Sequence, residues 1–375
     1  MNKIYICDTP FQVLNAYNLQ FHTEKINENN IVDLCIVNQF RSAPELCEKL
    51  RKTGAFTHVF LIKRPAEIEN KLLNYIVLFA KFICPRLSVR SVLSAKDRSY
   101  NFSDYQMIYD CYFTDFVGAL LKINGKNCEF YLIEDGTGTY YGDIIKKSVG
   151  RKYYLLSTIF HRGTYLANPQ KIYVNNPSMC RSTIPAPKVP LPRLDDAFLK
   201  LADALFDVSE NYTANPVIWL MNALADYPNM QRAVDRMCEV VDEYKERITV
   251  RLHPRETQEW KREGFHLDTE LEMWELKIPQ IDIENTLIMG LFSTGQLTPK
   301  FMYDYEPWIM FTHKIYSDVF PEEMNGSIDI LTADLKANYQ TPKKILIPQT
   351  EQEMFAMIKR FYDKSALKKQ KGDGL

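Results

Sequence analysis

The chain opens with an apolar strand that turns directly into a helix. Residues 4–6 predict a short buried strand, and residues 11–21 carry apolar side chains at helical spacing. Thr9 is placed to cap this helix, with Pro10 at its first position. A strand followed at once by a helix is the opening unit of a doubly wound α/β domain.

The same alternation continues through the first half of the chain. Short apolar runs predict strands, and stretches with helical spacing separate them. Further strands are predicted at 31–37, 58–62, 107–109, 130–133 and 171–174. Helices are predicted at 43–52, 66–82 and 114–121.

A proline-rich stretch near the middle of the chain predicts a domain boundary. It has no apolar periodicity, which is typical of a semi-rigid extended linker. A chain of 375 residues is long enough for two cores, because single cores stop growing beyond about 250–300 residues. We therefore expect an N-terminal domain over 1–184, a linker and helix over 185–210, a C-terminal domain over 211–350, and a helix and tail over 351–375.

The second half again alternates apolar runs with polar turns. The predicted fold class is therefore α/β, with two domains. Strands are predicted at 217–221, 248–252, 286–291 and 308–312. Helices are predicted from the end of the loop 222–228 to about residue 245, and at 352–369.

The composition is typical of a globular protein and gives no global attraction to polyanions. Hydrophobic residues make up 46%, charged residues 25%, and the net charge is −1. We therefore expect no nucleic-acid partner, and any basic site must be local. The eight cysteines form no CxxC pair and have no close histidine. They predict reduced core residues of a cytosolic protein, not a disulfide framework or a zinc site.

The apolar run 72–84 is shorter than the roughly 18 residues that a membrane span needs. The chain also opens without a basic-then-apolar export signal. A buried amphipathic helix explains the run, which contains Asn74 and Lys81. A membrane-surface helix explains the basic residues that follow it, and would suit a lipid-linked substrate. Those residues are Arg86, Arg90, Lys96 and Arg98.

Residues 249–256 end a predicted strand and run into the polar turn Arg-Leu-His-Pro-Arg-Glu. Pro254 fixes φ and stiffens the turn, which holds the imidazole of His253 at the carboxyl edge of the strand. Ligands bind at that edge in open α/β sheets. The histidine and its two flanking arginines favour a phosphate or a carboxylate. A basic turn paired with Glu256, or solvated, explains the same residues.

A glycine-rich loop, Glu134 to Gly142, follows the strand predicted at 130–133. Gly136 and Gly138 let the backbone turn tightly and approach a ligand. The loop lacks the Gly-Lys-Ser/Thr of a P-loop and the third glycine of a dinucleotide fingerprint. A plain Asp-Gly turn is the alternative.

Polar turns follow three strands of the second half, at Asp226, at His253 and at Ser293-Thr294. If the strands are parallel, all three turns lie at one edge of the sheet, where they would suit a phosphorylated ligand. Two hydroxyls, a glycine and a helix start, as in residues 292–296, are the elements of a phosphate cradle. No HxxxH, HExxH or GxSxG motif supports a metal site or a serine hydrolase.

Four short motifs together resemble glycosyltransferase family 52, the bacterial sialyltransferases that modify lipooligosaccharide and capsular glycans. They occur in the family's order and spacing, and the resemblance covers nearly the whole chain. The motifs are Cys-Asp-Thr-Pro-Phe-Gln-Val-Leu at 7–14, Glu-Asp-Gly-Thr-Gly at 134–138, His-Pro-Arg at 253–255 and Phe-Ser-Thr-Gly at 292–295.

The resemblance implies a GT-B architecture, with two Rossmann-like domains facing a central cleft. It implies that the N-terminal domain binds a glycan acceptor and the C-terminal domain binds CMP-sialic acid. The implied acceptor-binding residues are Asp8, Thr9, Pro10, Glu134, Gly136 and Thr137. The implied donor-binding residues are His253, Pro254, Arg255, Glu275, Ser293, Thr294 and Gly295.

The resemblance also implies roles for single residues. His253, Ser293 and Thr294 match the family residues that contact the CMP phosphate, and Glu275 matches a glutamate near the ribose. Asp226 is the nearest match to the family's base. Asp135 is the rival base, because related sialyltransferases use an aspartate in a similar Asp-Gly-Ser/Thr loop.

The chemistry agrees with these roles. CMP-sialic acid carries a single phosphodiester, so its leaving group needs less neutralisation than a diphosphate. A protonated His253 and two hydroxyls would supply it without a metal or other cofactor. An aspartate base would take the acceptor hydroxyl's proton while attack from the opposite face inverts the anomeric configuration.

The expected function is therefore an inverting sialyltransferase that moves sialic acid from CMP-sialic acid to a galactoside-type acceptor of lipooligosaccharide or capsule. The resemblance implies a homodimer, because family relatives form dimers. The cysteines predict a cytoplasmic protein, and the basic residues after the apolar run are compatible with peripheral contact at the inner face of the plasma membrane, where a lipid-linked acceptor would lie. One alternative is a family-related transferase with another nucleotide sugar, such as a glucosyltransferase. The other is a non-catalytic protein that binds a glycan or a nucleotide sugar.

Overall fold

The chain forms two compact units, Met1–Phe206 and Asp207–Leu375. The computed structural model describes residues 1–23, 30–63, 83–112, 114–140, 169–209, 214–256, 258–268 and 272–372. The helix predicted at 66–82, most of the apolar run 72–84, and Tyr141 and Gly142 of the glycine-rich loop lie outside these residues.

The first unit is built on seven parallel strands. Their order in the sheet is β3-β2-β1-β4-β5-β6-β7, so the winding reverses between β1 and β4. The strands are β1 Lys3–Cys7, β2 Val32–Asn38, β3 His58–Lys63, β4 Met107–Asp110, β5 Glu129–Ile133, β6 Ile172–Val174 and β7 Lys188–Pro190. The helices are α1 Pro10–Thr23, α2 Ala43–Thr53, α3 Pro85–Val92, α4 Asp115–Asn124, α5 Thr137–Tyr140 and α6 Asp196–Phe206.

Tyrosines on neighbouring strands stack across one face of this sheet. The ring centroids of Tyr5 and Tyr109 lie 4.6 Å apart, and those of Tyr109 and Tyr131 lie 4.9 Å apart. Parallel register places these residues side by side, since Tyr5 pairs with Tyr109 and Tyr109 with Tyr131. Stacked aromatic pairs contribute roughly 0.5–1.5 kcal/mol beyond area burial, so they fix the register of the strands that end at the first unit's loops.

The proline-rich stretch differs from the linker predicted over 185–210. β7 joins the edge of the sheet, where Val189 pairs with Tyr173, and the first unit extends to Phe206. The side chain of Asn18 in α1 donates a hydrogen bond of 2.6 Å to the carbonyl of Pro192. Phe198 of α6 packs at 5.2 Å from Tyr17. Apolar packing against α1 therefore outweighs the stiffness of the prolines.

The second unit is built on six parallel strands. Their order is β10-β9-β8-β11-β12-β13, so the winding reverses between β8 and β11. The strands are β8 Val217–Leu220, β9 Ile248–Arg251, β10 His266–Asp268, β11 Leu287–Gly290, β12 Trp308–Phe311 and β13 Ile345–Leu346. The helices are α7 Met230–Val240, α8 Trp274–Lys277, α9 Thr294–Tyr303, α10 Glu322–Asn338 and α11 Glu351–Gly372.

The α/β fold class with two parallel sheets is confirmed, and every predicted strand has a counterpart. The short strands β7, β10 and β13 and the helix α10 were not predicted. The predicted helix that ends near residue 245 stops at Val240 and continues as a 3-10 turn, Asp242–Arg247. Among the described residues, no helix is long and apolar enough to cross a membrane.

Candidate active site

Three polar loops lie at one edge of the second sheet. β9, β8 and β11 are consecutive neighbours and all run parallel, so the loops that follow them share the carboxyl edge. The prediction that the turns at Asp226, His253 and Ser293-Thr294 lie at one edge is therefore confirmed. The edge includes the point between β8 and β11 where the winding reverses, which is the usual ligand position in open α/β sheets.

The imidazole of His253 is held by the turn that it belongs to. The backbone N–H of Arg255 donates to Nδ1 of His253 at 3.1 Å, and the N–H of Glu256 donates to its carbonyl at 2.8 Å. Because an N–H can only donate, Nδ1 accepts, and the ring proton sits on Nε2. Nε2–H is then a fixed donor at the carboxyl edge of the sheet.

This bonding corrects the expectation of a protonated His253. Burial lowers the pKa of the imidazole, and the positive charge of Arg255 lowers it further, against smaller opposing effects of Asp226 and Glu256. The hydrogen bond that Nδ1 accepts from Arg255 also requires the neutral ring, because Nδ1 must keep its lone pair. His253 thus offers an anion a hydrogen bond without a full positive charge.

Two contacts join the loops after β8 and β9. The guanidinium of Arg255 lies 3.0 Å from the carboxylate of Asp226, and the carboxylate of Glu256 accepts a 2.7 Å hydrogen bond from the N–H of Leu224. Asp226 ends the 3-10 turn Leu224–Asp226. Arg255 binds one of its carboxylate oxygens, and among the described residues none is bonded to the other, which can accept a proton or a hydrogen bond.

Ser293 caps helix α9. Its hydroxyl oxygen accepts from the N–H of Gly295 at 3.3 Å, and its own N–H donates to the side chain of Gln296 at 2.9 Å. This reciprocal pair is a capping box, which explains why the helix begins at Thr294. With the oxygen accepting, the hydroxyl proton of Ser293 can donate to an anion at the positive end of the helix dipole.

Close packing places glycines at positions 290 and 295. A Cβ on Gly290 would lie 2.7 Å from the carbonyl oxygen of Leu220. A Cβ on Gly295 would lie 2.9 Å from the side chain of Leu220. The indole of Trp274 donates a 2.8 Å hydrogen bond to the carbonyl of Gly295. Trp274 therefore holds the first turn of α9 against β8.

Glu275 follows Trp274 in α8 and is partly buried. Burial raises the pKa of its carboxyl group, and Arg251 opposes this increase. The backbone carbonyl of Glu275 accepts a 2.8 Å hydrogen bond from the hydroxyl of Tyr303, the last residue of α9.

Arg251 is buried, and its guanidinium is bound to other residues of the second unit. It is 8% exposed, pairs with Asp268 of β10 and donates to the carbonyl of Glu272. Of the two arginines in the basic turn, only Arg255 is exposed, at 70% of its side chain.

Asn222 is a residue of this edge that sequence reasoning did not single out. Its side chain donates a 2.9 Å hydrogen bond to the carbonyl of Phe292, which joins the loops after β8 and β11 across the point where the winding reverses. Its side-chain oxygen is buried and accepts no hydrogen bond from the part of the chain that the structure describes. The signal was its place as the first polar residue after an apolar strand.

The first sheet has its own set of loops at its carboxyl edge. Thr9 caps α1 by accepting from the N–H of Gln12 at 3.3 Å, and Pro10 begins the helix, as predicted. The side chain of Gln12 accepts from the N–H of Asp8 and donates to Asp135, so it joins the loops after β1 and β5. Gln12 is fully buried and was not predicted.

Asp135 lies in the tight turn that was predicted from Gly136 and Gly138. Burial raises the pKa of its carboxyl group to about 7. The hydrogen bond from Gln12 opposes this increase, and the negative charge of Asp8 adds to it. Gly136 has φ 90°, a conformation that favours glycine, and its carbonyl accepts from the N–H of Thr139. Thr137 begins the short helix α5.

Glu134 was predicted to bind the acceptor, but its carboxylate is buried and bonded within the first unit. Its carboxylate is 2% exposed and accepts from the hydroxyl of Tyr140 at 2.8 Å and the N–H of Asn175 at 2.6 Å. Burial raises its pKa to about 7, and these hydrogen bonds oppose the increase. Glu134 therefore braces the loops after β5 and β6, because its oxygens already have partners inside the protein.

Asp110, at the end of β4, is a second residue that the sequence did not single out. It is 1% exposed and accepts from the N–H of Cys111 at 2.6 Å. Burial raises its pKa well above the ordinary value, and Asp8 raises it further. The carboxyl groups after β1, β4 and β5 thus share one sheet edge.

A groove of about 670 Å³ lies elsewhere, at the far end of α1 from these loops. Tyr17, Phe21 and Leu201 line it. Among the described residues, no group of three or more His, Cys, Asp or Glu side chains could hold a metal ion.

No family model matches the chain, and neither does any curated protein sequence. Membership of glycosyltransferase family 52 therefore stays a prediction. Solved structures do resemble the chain. One is a UDP-N-acetylglucosamine 2-epimerase from Neisseria meningitidis bound to UDP-GlcNAc, with TM-score 0.46, 10% identity and coverage of 96% of this chain and 91% of that chain. Another is a spinosyn rhamnosyltransferase, with TM-score 0.47, 11% identity and coverage of 97% and 90%.

A sialyltransferase from Photobacterium damsela resembles the chain with TM-score 0.50 and 10% identity, over 92% of this chain and 81% of that chain. At this identity the likeness concerns the fold. The chain has two parallel α/β units, and its fold is of the GT-B-like type, as predicted.

Proposed function

We propose that the chain is a glycosyltransferase that transfers sialic acid from CMP-sialic acid, with inversion, to a galactoside-type acceptor of lipooligosaccharide or capsule. The observation that carries the proposal is the convergence of three loops at the edge formed by β9, β8 and β11. These loops bring a fixed imidazole donor, a helix N-terminus with a serine hydroxyl, and an accessible carboxylate to one sheet edge.

The donor phosphate is assigned to the loops after β9 and β11. His253 contributes its Nε2–H, and Ser293 contributes a hydroxyl at the start of α9, together with Thr294. Neutral donors and a helix dipole suit the single negative charge of a phosphodiester, because they stabilise the departing CMP without a dedicated cation. Gly295 lets the first turn of α9 pack against Leu220 and Trp274, which fixes the helix N-terminus at the proposed phosphate site. Glu275 is assigned to the ribose.

The base is assigned to Asp226. Arg255 holds one of its oxygens, which orients the carboxylate, and the other oxygen can take the proton of the acceptor hydroxyl. General base assistance of this kind contributes about 10²–10⁴-fold to a rate. Asp135 remains the alternative base, with the acceptor held by the loops that contain Asp8, Thr9, Pro10, Gly136 and Thr137.

Calorimetric titration with CMP, UDP and GDP tests the donor. Binding of CMP without UDP or GDP supports the proposal, and transfer of labelled sialic acid from CMP-sialic acid to a lactoside completes it. Binding of UDP or GDP without CMP would overturn the assignment of the donor and leave the fold unaffected.

A transferase that uses another nucleotide sugar is the second candidate, and the exposure of Arg255 favours it. A guanidinium that is 70% exposed beside His253 could neutralise the second charge of a diphosphate. Activity with a nucleoside-diphosphate sugar would identify this case, and loss of that activity in EDTA would show that it requires a metal. Nucleotide binding without transfer to any glycan would identify a non-catalytic binding protein.

A further inference from the structure

Helix α3 and the segment just before it expose two large aliphatic side chains on the surface of the first unit. Leu87 is 64% exposed, the most of any large apolar residue among the described ones, and Ile83 just before the helix is 56% exposed. The opposite face of α3 is buried through Ser88, Val89 and Val92. The helix is therefore anchored in the unit by one face while the other presents apolar surface to solvent.

Basic side chains surround the exposed leucine. Arg86 and Arg90 are exposed and lie one helical turn apart, and Arg90 lies three residues from Leu87. Among the described residues, neither arginine has an ion-pair partner. Lys122 of α4, which packs against α3, lies beside Cys84.

The charge of this region differs from that of the whole chain. The net charge of the protein is −1, whereas residues 83–98 contain four arginines and lysines and a single carboxylate, Asp97. The side chain of Asp97 is bound to the hydroxyl of Ser94. The positive charge of the helix face is therefore left to attract an external anionic surface.

We propose that the α3 face formed by Arg86, Leu87 and Arg90, together with Ile83 just before the helix, binds the surface of a bilayer that contains anionic lipids. Exposed aliphatic side chains beside exposed arginines match the boundary between acyl chains and anionic headgroups. A nucleic acid would use the arginines and leave Ile83 and Leu87 in water, since aliphatic side chains do not stack on bases.

The contact would bring the first unit, which carries the proposed acceptor loops, to a surface that displays lipid-linked glycans. That consequence rests on the proposed function. The binding itself does not, because it can be measured without any transfer reaction.

Co-sedimentation of the full chain with vesicles tests the proposal. We expect binding to phosphatidylcholine vesicles that contain phosphatidylglycerol, little binding to phosphatidylcholine alone, and weaker binding as salt is raised. The double variant Arg86→Gln/Arg90→Gln should bind about 25-fold more weakly, from roughly fivefold for each cation at an anionic surface. Leu87→Gln should bind on the order of tenfold more weakly, because it removes apolar burial.

Matched controls come from the second unit. Ile330 is 53% exposed, and Lys359 and Arg360 are exposed neighbours on α11. Ile330→Gln and Lys359→Gln/Arg360→Gln should bind vesicles like the unmodified chain, and all variants should keep its melting temperature because the changed side chains are exposed.

Three results would overturn the proposal. One is no binding of the unmodified chain to anionic vesicles at low salt. Another is undiminished binding of Arg86→Gln/Arg90→Gln. The third is undiminished vesicle binding of Leu87→Gln together with complete displacement of the vesicles by heparin. That result would show a site for polyanions that does not insert into lipid.

Discussion

The guanidinium of Arg255 lies 3.0 Å from the carboxylate of Asp226, so one ion pair joins the loops that follow two neighbouring parallel strands. The pair is partly exposed, and exposed pairs contribute little to stability. Its effect is to fix the direction of a carboxylate that lies at the same sheet edge as His253.

Replacing Asp226 with Asn should lower kcat by about 10²–10⁴-fold, because the amide keeps the contact with Arg255 but cannot take a proton. The Kd for CMP should change little. Steady-state transfer from CMP-sialic acid and calorimetry measure the two quantities separately. Asp318→Asn is the control, since Asp318 is also an exposed partner of an arginine in the second unit.

Asp135 is the alternative base, and its variant gives the outcome that would contradict the assignment of Asp226. If Asp135→Asn loses kcat while Asp226→Asn keeps it, the base lies in the first unit. The rate of the unmodified enzyme would then rise as pH increases through about 7, because burial raises the pKa of Asp135 to that value and the base must be ionised.

Replacing His253 with Ala should weaken CMP binding by about tenfold to a hundredfold, as expected for one hydrogen bond to a charged group. The fold should be retained because the imidazole is only partly buried. His266, an exposed histidine on β10, provides the control variant His266→Ala. Equal CMP affinity of the two variants would remove His253 from the phosphate site.

The neutral state of His253 has a calorimetric consequence. CMP binding at pH 8 should give the same enthalpy in buffers of different ionisation enthalpy, because the Nε2–H donates without proton uptake. If the ring had to become an imidazolium, about one proton would be taken up for each site and the two enthalpies would differ.

Gly290→Ala should destabilise the second unit, since the new Cβ would lie 2.7 Å from the backbone oxygen of Leu220 and the strands would have to move apart. Overpacking of this kind costs about 1–3 kcal/mol. Thermal unfolding should show a lower Tm. Gly326→Ala is the matched control: nothing lies within 4 Å of its Cβ. In the interior of helix α10 this change should be neutral or stabilising, by up to about 1 kcal/mol.

The two units should respond to pH in opposite directions. Burial raises the pKa of Glu134 from an ordinary 4.5 to about 7, so the folded first unit holds a proton that the unfolded chain has lost, and its stability falls as pH rises through 7. Burial lowers the pKa of His313, which is 1% exposed, so the second unit loses stability as pH falls below about 6.5.

Hydrogen exchange at pH 5.5 and 7.5, corrected for the intrinsic rate, separates the two effects. On lowering the pH, protection should increase in the first unit and decrease in the second. Glu134→Gln should reduce the first trend, to which Asp110 and Asp135 also contribute. His313→Gln should reduce the second, to which His253 also contributes. Parallel trends in both units, or no change in the variants, would contradict this assignment.

The periodicity of apolar residues was enough to predict the sheets, because buried parallel strands are continuous apolar runs. Strands β7, β10 and β13 have only two or three residues each, too few to show a period. The proline-rich stretch shows a second limit. Its local stiffness is visible in the sequence, but its hydrogen bond to Asn18 joins residues 174 positions apart.

The loops of the candidate site were predictable for a related reason. Polar residues directly after apolar strands stand out, as at Asp226, His253 and Ser293. The side chains that join one loop to another do not, since Gln12 contacts Asp135 across 123 positions and lies within a helix. The protonation state of His253 could not be predicted from the sequence. It depends on the hydrogen bond from the N–H of Arg255 to Nδ1 and on the burial of the ring.

Both sheets wind in the same order: the first strand of each unit lies between its second and its fourth. Six strands of each sheet therefore follow the same order, and the first sheet adds a seventh, although the amino-acid sequence shows no repeat. The units differ in the loops at the carboxyl edge. The first carries Asp8, Asp110 and Asp135 there, and the second carries His253 and Arg255. The same strand order thus presents carboxyl groups alone in the first unit, and an imidazole and a guanidinium beside the carboxylate of Asp226 in the second.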